Sequence, residues 1–188
     1  SIESTESIKS LKSGTDAKGL VLINTGNGKG KTTAAIGTAV RALGHGQKVV
    51  FLQFIKSAPT GESRFLERYA QQHPDRLCYH MLGLGFIKND PSAQDLAKAN
   101  QAMEMAEKLQ PNADLIVLDE INIALSKGLI LVERVKKFLL ERPESQNVIL
   151  TGRNCPDELY EMADTITEMT EIKHAYRQGK PAAKGVDF

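Results

Sequence analysis

Residues 19–35, GLVLINTGNGKGKTTAA, restrict the fold of this chain more than any other stretch. They open with a short apolar run, Leu20 to Ile23, whose length and β-branched content predict a buried strand. A loop follows in which Gly26, Gly28 and Gly30 alternate with Asn27 and Lys29. Lys31, Thr32 and Thr33 then begin an Ala-rich segment that reads as helix to about Ala42. Strand, glycine loop and helix in that order make a cradle for phosphate. Glycine lets the backbone take conformations closed to other residues and bring its N–H groups close to an anion. The helix N-terminus adds unpaired donors and partial positive charge. In such a cradle Lys31 reaches the outer phosphates and the Thr32 hydroxyl ligates Mg²⁺. A glycine-rich turn that only caps a helix would need neither Lys31 nor two threonines.

The general P-loop pattern, G-x-x-x-x-G-K-[ST], places a glycine at position 25. This chain has Thr25 there, and its nearest glycine comes one place later.

A second stretch completes the first. Leu115 to Leu118 is a fully apolar run that ends in Asp119-Glu120. That is the form of a buried strand delivering acids to the Mg²⁺ edge of a phosphate site. Two acids that merely begin a loop are the plainer reading, but the upstream glycine loop gives them a partner.

Between and beyond these stretches, strands and helices alternate. Lys48 to Phe54, Leu77 to Leu82 and Asn147 to Thr151 read as strands, and Thr165 to Met169 as a marginal sixth. Ser63 to about Gln72 and Val132 to Leu140 read as helices, and Pro156 to Ala163 as a short one. Asp90-Pro91 has the form of an N-cap with proline at the first helical position, opening a helix to about Leu109. This alternation predicts an α/β fold of the P-loop NTPase, RecA-like type, with a mainly parallel central sheet of about six strands and helices on both faces. Residues 1–18 are polar and lack hydrophobic period, so they read as a flexible arm, and residues 19–188 as one domain.

Composition narrows the function classes. The 24 basic and 23 acidic residues leave a formal net charge of +1, which signals neither an electrostatic nucleic-acid binder nor a membrane-surface protein. No run approaches the roughly 18 apolar residues of a membrane span. Two cysteines far apart, Cys78 and Cys155, fit a reduced, cytoplasmic setting better than a disulfide scaffold. Cys78 and His80 fall on one side of a strand, but a structural zinc site needs four ligands and no second pair is present. No N-K-x-D guanine-reading motif follows the glycine loop, and no arginine-rich lid is evident.

The ordered set of loop motifs resembles one family. TGNGKGKTTAA (residues 25–35), QFIK (53–56), GE (61–62), GF (85–86), LDEINIAL (118–125), TGRN (151–154), EIKHAY and a terminal GVDF look like the P-loop ATP:corrinoid adenosyltransferases, the enzymes acting on cob(I)alamin and cob(I)yrinic acid a,c-diamide. The likeness runs from about Gly19 to Phe188. It implies that cobalt(I) of a corrinoid attacks the 5′ carbon of ATP and that the whole triphosphate leaves. It implies Lys31, Thr32, Glu120 and Phe86 as the residues of the chemistry, with Thr32 and Glu120 on Mg²⁺ and Asp119 either nearby or behind them. It implies nucleotide contacts from Thr25, Gly26, Asn27, Gly28, Lys29, Gly30, Lys31, Thr32 and Thr33. Phe86 matches the family's aromatic beneath the corrin ring, and Arg153 and Asn154 are placed to line the same mouth. Many members carry GFTW where this chain has GFIK, and the chain contains no tryptophan. Lys173, His174 and Tyr176 match the family's tail motif without an assigned role, and the tail is expected to pack against the sheet. The resemblance also implies a homodimer, a reductase or flavoprotein as electron donor, and an arm that closes over the corrinoid.

Two other readings stay open on the residues alone. One is an ATPase acting as a switch or motor, which releases ADP and phosphate. The other is a corrinoid-binding or nucleotide-sensing module without turnover.

Overall fold

The computed structural model describes residues 18–83, 85 and 91–188. The chain runs β1 (Val21–Thr25), α1 (Lys31–Gly44), β2 (Val49–Gln53), α2 (Gly61–Gln72), β3 (Leu77–Met81), α3 (Ala93–Leu109), β4 (Leu115–Asp119), α4 (Ile121–Ser126), α5 (Val132–Leu140), β5 (Asn147–Thr151) and β6 (Thr165–Glu168). Three 3₁₀ segments, Gln110–Asn112, Asp157–Met162 and Ala175–Gln178, join or follow these elements. The six strands form one sheet in the order β3-β2-β4-β5-β1-β6, and every neighbouring pair is parallel. The expected parallel α/β architecture is therefore what the chain forms.

Strand periodicity divides the core into two layers. Val49 and Phe51 of β2, Leu115 and Val117 of β4, and Ile149 of β5 face α1 and α2. Val50, Leu52, Ile116, Leu118, Val148 and Leu150 face the opposite way, toward α3, α4 and α5. Both faces are covered, which is why these strands read as continuous apolar runs rather than alternating ones. Helix α1 meets the sheet through Ala35, Ala39 and Ala42, small residues at helical spacing that let backbone approach backbone closely.

The same periodicity decides where polarity enters. The fifth residue of β2, β4 and β5 is Gln53, Asp119 and Thr151, each 0 % exposed. All three continue the face that carries α1, at the carboxyl ends of three adjacent strands. Ligands of open α/β sheets bind outside such ends.

Some boundaries differ from expectation. Helix α3 begins at Ala93, capped by Ser92, whose hydroxyl and the Asp95 carboxylate exchange bonds with each other's backbone. A Ser-Asp capping box so close to Pro91 competes with Asp90-Pro91 as the start and wins. Asp90 itself lies outside the described residues. The segment 157–162 is 3₁₀, not α. Helix α4 was not expected at all. The expected N-terminal arm, apart from Lys18, and Phe86 also lie outside the described residues.

Candidate active site

Strands β4, β5 and β1 lie side by side, so the loops that leave them converge on one cleft. Its volume is about 780 Å³, and its lining includes Asn27 to Thr33, Lys56, Glu120 and Arg153.

The glycine loop forms its floor. Gly28 N–H donates to the Met169 carbonyl at 2.6 Å, pinning the loop to the chain beyond β6. A Cβ on Gly28 would lie 2.6 Å from that oxygen, so only glycine fits this approach. Gly30 takes φ 113°, turning the chain directly into α1 without a capping side chain. The first turn of α1 therefore faces the cleft with no acidic residue in it. Lys31 Nζ donates to the Gly28 carbonyl at 2.6 Å, folded along the loop. Burial lowers the Lys31 pKa, Arg153 lowers it further, and Glu120 and Asp119 oppose them.

The acids stand across from this floor. Asp119 Oδ1 accepts from the Thr32 hydroxyl at 2.8 Å and from the Thr151 hydroxyl at 2.7 Å. Its Oδ2 accepts from Gln53 Nε2 at 3.0 Å. Asp119 is thus fully buried, with donors on both of its oxygens. Glu120 is the opposite case. Its backbone sits in the left-handed region at φ 62°, a strained setting for a non-glycine residue, held there by its N–H donating to Thr151 Oγ1 at 2.9 Å. One carboxylate oxygen, Oε2, is buried without a partner. Burial raises the Glu120 pKa, and the neighbouring Asp119 adds to the rise.

An orphaned carboxylate oxygen and a threonine hydroxyl, on two residues that line one cleft, are a hard-oxygen donor set. Mg²⁺ prefers such donors, taking one or two carboxylates plus substrate phosphates. Among the described residues no group of three or more His, Cys, Asp and Glu could cage a metal by itself.

The other expected positions divide. Asn27, Lys29, Thr33 and Arg153 line the cleft. Thr25 is buried beneath the loop, where its hydroxyl accepts from Cys155 N–H at 3.4 Å. Gly26 (φ 94°) and Asn154 (φ 56°) make turns and do not line the cleft. Lys29 donates to the Val186 carbonyl at 2.9 Å and pairs with the Asp187 carboxylate.

That last contact corrects the expectation for the tail. Instead of packing against the sheet, residues 185–188 wall the cleft, and Ile172 and Tyr176 are 98 % and 79 % exposed. His174 lines the cleft while its Nδ1 accepts from Tyr176 N–H at 3.2 Å. Gln53 and Thr151 were missed as site residues. The signal for them was present, since each is the polar end of an otherwise apolar strand.

Comparison with known proteins bears on the fold and the family. The chain resembles a KaiC-like protein of Pyrococcus horikoshii (TM-score 0.54, 20 % identity, covering 86 % of this chain and 77 % of that one). It resembles the RadB recombinase equally (TM-score 0.54, 17 % identity, covering 90 % and 82 %). At such identities the likeness is one of fold, the RecA-like P-loop fold. Closer in sequence are the corrinoid adenosyltransferases of Pseudomonas aeruginosa (45 % identical, covering 92 % of this chain and 85 % of that one) and Escherichia coli (38 %, covering 92 % and 87 %). The family model described as ATP:corrinoid adenosyltransferase BtuR/CobO/CobP matches residues 17–188, a span that takes in the glycine loop, the acid strand and the tail across the cleft. With the cradle, the acids and the tail all inside that match, the chain belongs to the ATP:corrinoid adenosyltransferase family.

Proposed function

We propose that the chain transfers the 5′-deoxyadenosyl group of ATP to the cobalt(I) of a corrinoid substrate and releases triphosphate. The observation that carries this reading is the family match over residues 17–188 laid onto an intact phosphate cradle and acid strand. In the step, the cobalt electron pair forms the bond to C5′. The C5′–O bond breaks, and its electron pair leaves on the triphosphate.

The cradle's task is to hold a leaving group. Loop N–H groups, the α1 N-terminus and Lys31 are fixed before reaction and so stabilise charge that grows on the departing oxygen. Thr32 and Glu120 would hold Mg²⁺, with Asp119 orienting the Thr32 hydroxyl from behind. Bound there, the ion neutralises phosphate charge. Arg153 adds a cation at the carboxyl end of β5.

The reading extends to a corrinoid seat that includes Phe86, to a flavoprotein or reductase that supplies cobalt(I), and to a homodimer. A reducing, cytoplasmic setting is supported by two free cysteines, Cys78 and Cys155. No helix among the described residues is long and apolar enough to cross a membrane.

The test is anaerobic incubation with ATP, Mg²⁺ and chemically reduced cobalamin, following the corrinoid spectrum and identifying the phosphate product. Triphosphate formed only with the reduced corrinoid is the expected result. ADP and phosphate formed without any corrinoid would overturn it.

A further inference from the structure

Gln53 and Tyr79 lie behind the cleft, yet both are tied to its chemistry. Gln53 is fully buried, and its amide nitrogen is one of three side-chain donors to Asp119 and the one on Oδ2. The other end of the amide, Oε1, accepts from the Tyr79 hydroxyl at 2.6 Å. A carboxylate on one side and a phenol donor on the other leave the amide a single orientation that satisfies both.

Sheet register makes this contact. Phe51 pairs with Tyr79 and Gln53 with Met81, so Tyr79 reaches Gln53 diagonally across the β2–β3 pair. The Tyr79 ring also tilts against Phe51, with centroids 6.2 Å apart. The phenol lies beside the Ser63 hydroxyl, and burial pushes its pKa up to about 12, so it remains a donor. Ser63 belongs to the first turn of α2, where it accepts from Thr60 N–H at 2.8 Å and donates to the Thr60 carbonyl at 3.0 Å. Gly61 and Glu62 of that turn line the cleft.

We propose that Gln53 and Tyr79 are positioning residues for the cation, acting through the hydrogen-bonded chain Tyr79–Gln53–Asp119–Thr32. The chain fixes the Asp119 carboxylate, which takes the Thr32 hydrogen and leaves the lone pairs of that hydroxyl turned to the cleft. Without the Gln53 amide, Asp119 Oδ2 is buried with no donor. The carboxylate then rotates to recover one, and Thr32 loses its acceptor direction. Partners behind a metal ligand typically set affinity by about 10–100-fold. The inference rests on Thr32 and Glu120 being the cation's ligands.

The test measures ATP affinity of the intact chain by calorimetry, once in excess Mg²⁺ and once in chelator, for wild type, Gln53→Met and Tyr79→Phe. Leu52→Val serves as a core control, because it loosens the same strand from the opposite face of the sheet, away from Tyr79 and the chain of bonds. In the two test variants the gain in affinity due to Mg²⁺ should shrink by about 10-fold or more. Their Mg²⁺-free affinity should stay within about twofold of wild type, and Leu52→Val should keep the full gain. Tyr79→Phe removes a single oxygen, so it keeps the test informative if Gln53→Met does not fold. A wild-type gain that survives unchanged in Tyr79→Phe overturns the positioning role alone. The absence of any Mg²⁺ gain in wild type overturns the ligand assignment, and the positioning role with it.

Discussion

Thr32 and Asp119, 87 residues apart in sequence, meet through one hydrogen bond of 2.8 Å from the threonine hydroxyl to Oδ1 of the aspartate. The contact bridges β5, the strand that separates the glycine-loop strand from the acid strand. Strand β5 contributes Thr151 to the same oxygen. Replacing Thr32 with Val removes the hydroxyl but leaves Asp119 two donors. Adenosyl transfer should fall by about 10²-fold or more, with little change in the melting temperature. Thr32→Ser should restore most of the rate. Corrinoid spectra under anaerobic turnover check both.

Glu120 sets the cost of burying a carboxylate against its proposed role at the cation. Its pKa is raised above the ordinary 4.5, so the folded state binds its proton more tightly than the unfolded chain does. Stability from this group is therefore greatest at low pH and declines as pH rises from about 4.5 through the raised folded value. Glu120→Gln removes the buried charge. At pH 7 it should stabilise the protein by about 1 kcal/mol while abolishing the Mg²⁺-dependent part of ATP binding. Below the ordinary carboxylate range the two proteins should melt alike. Melting curves against pH decide this.

Lys29 belongs to the glycine loop, but its ammonium is engaged by Asp187. The pair is partly exposed, at 45 % and 29 % for the two side chains, and such pairs contribute about 0–1 kcal/mol. Lys29→Ala and Asp187→Ala should each weaken ATP binding by less than about 5-fold. The double variant should be no worse than the weaker single one, because both remove the same contact. If Asp187→Ala instead tightened ATP binding, Lys29 would be a phosphate ligand that the tail withholds.

Two glycines should respond in opposite directions to alanine. Gly28→Ala forces a Cβ to within 2.6 Å of the Met169 carbonyl oxygen and should cost about 1–3 kcal/mol. Gly37, inside α1, has nothing within 4 Å of its added Cβ. Gly37→Ala should stabilise by about 0.4–1 kcal/mol by restricting the unfolded chain. Thermal denaturation reads both signs.

The strands and the two nucleotide motifs were legible because each rests on local signals: apolar runs, glycine spacing and paired acids. Helix α4 was not, because INIALS spans only six residues and is rich in β-branched side chains. It forms because Ile121, Ala124 and Leu125 are buried in the core and Asn122 donates to the Gly152 carbonyl at 3.0 Å. Tertiary contacts, not propensity, make that helix. Gln53 and Thr151 were visible as letters in motifs but not as partners of Asp119, since their meeting depends on strand order. The strand order β3-β2-β4-β5-β1-β6 has no local signature. The tail was misplaced for the same reason: little in GVDF reveals that Lys29 is the partner of Val186 and Asp187.

Strand β6 sits at the margin of the sheet, and all four of its residues are exposed. Just past it, Met169 donates its N–H to the Thr25 carbonyl at 2.9 Å and accepts from Gly28. The glycine loop thus hangs from the most thinly covered thread of the sheet, where fraying is cheapest. Occupancy of the cradle should then be felt at a distance: amide hydrogens along residues 165–168 should exchange more slowly once nucleotide is bound, although none of those side chains lines the cleft.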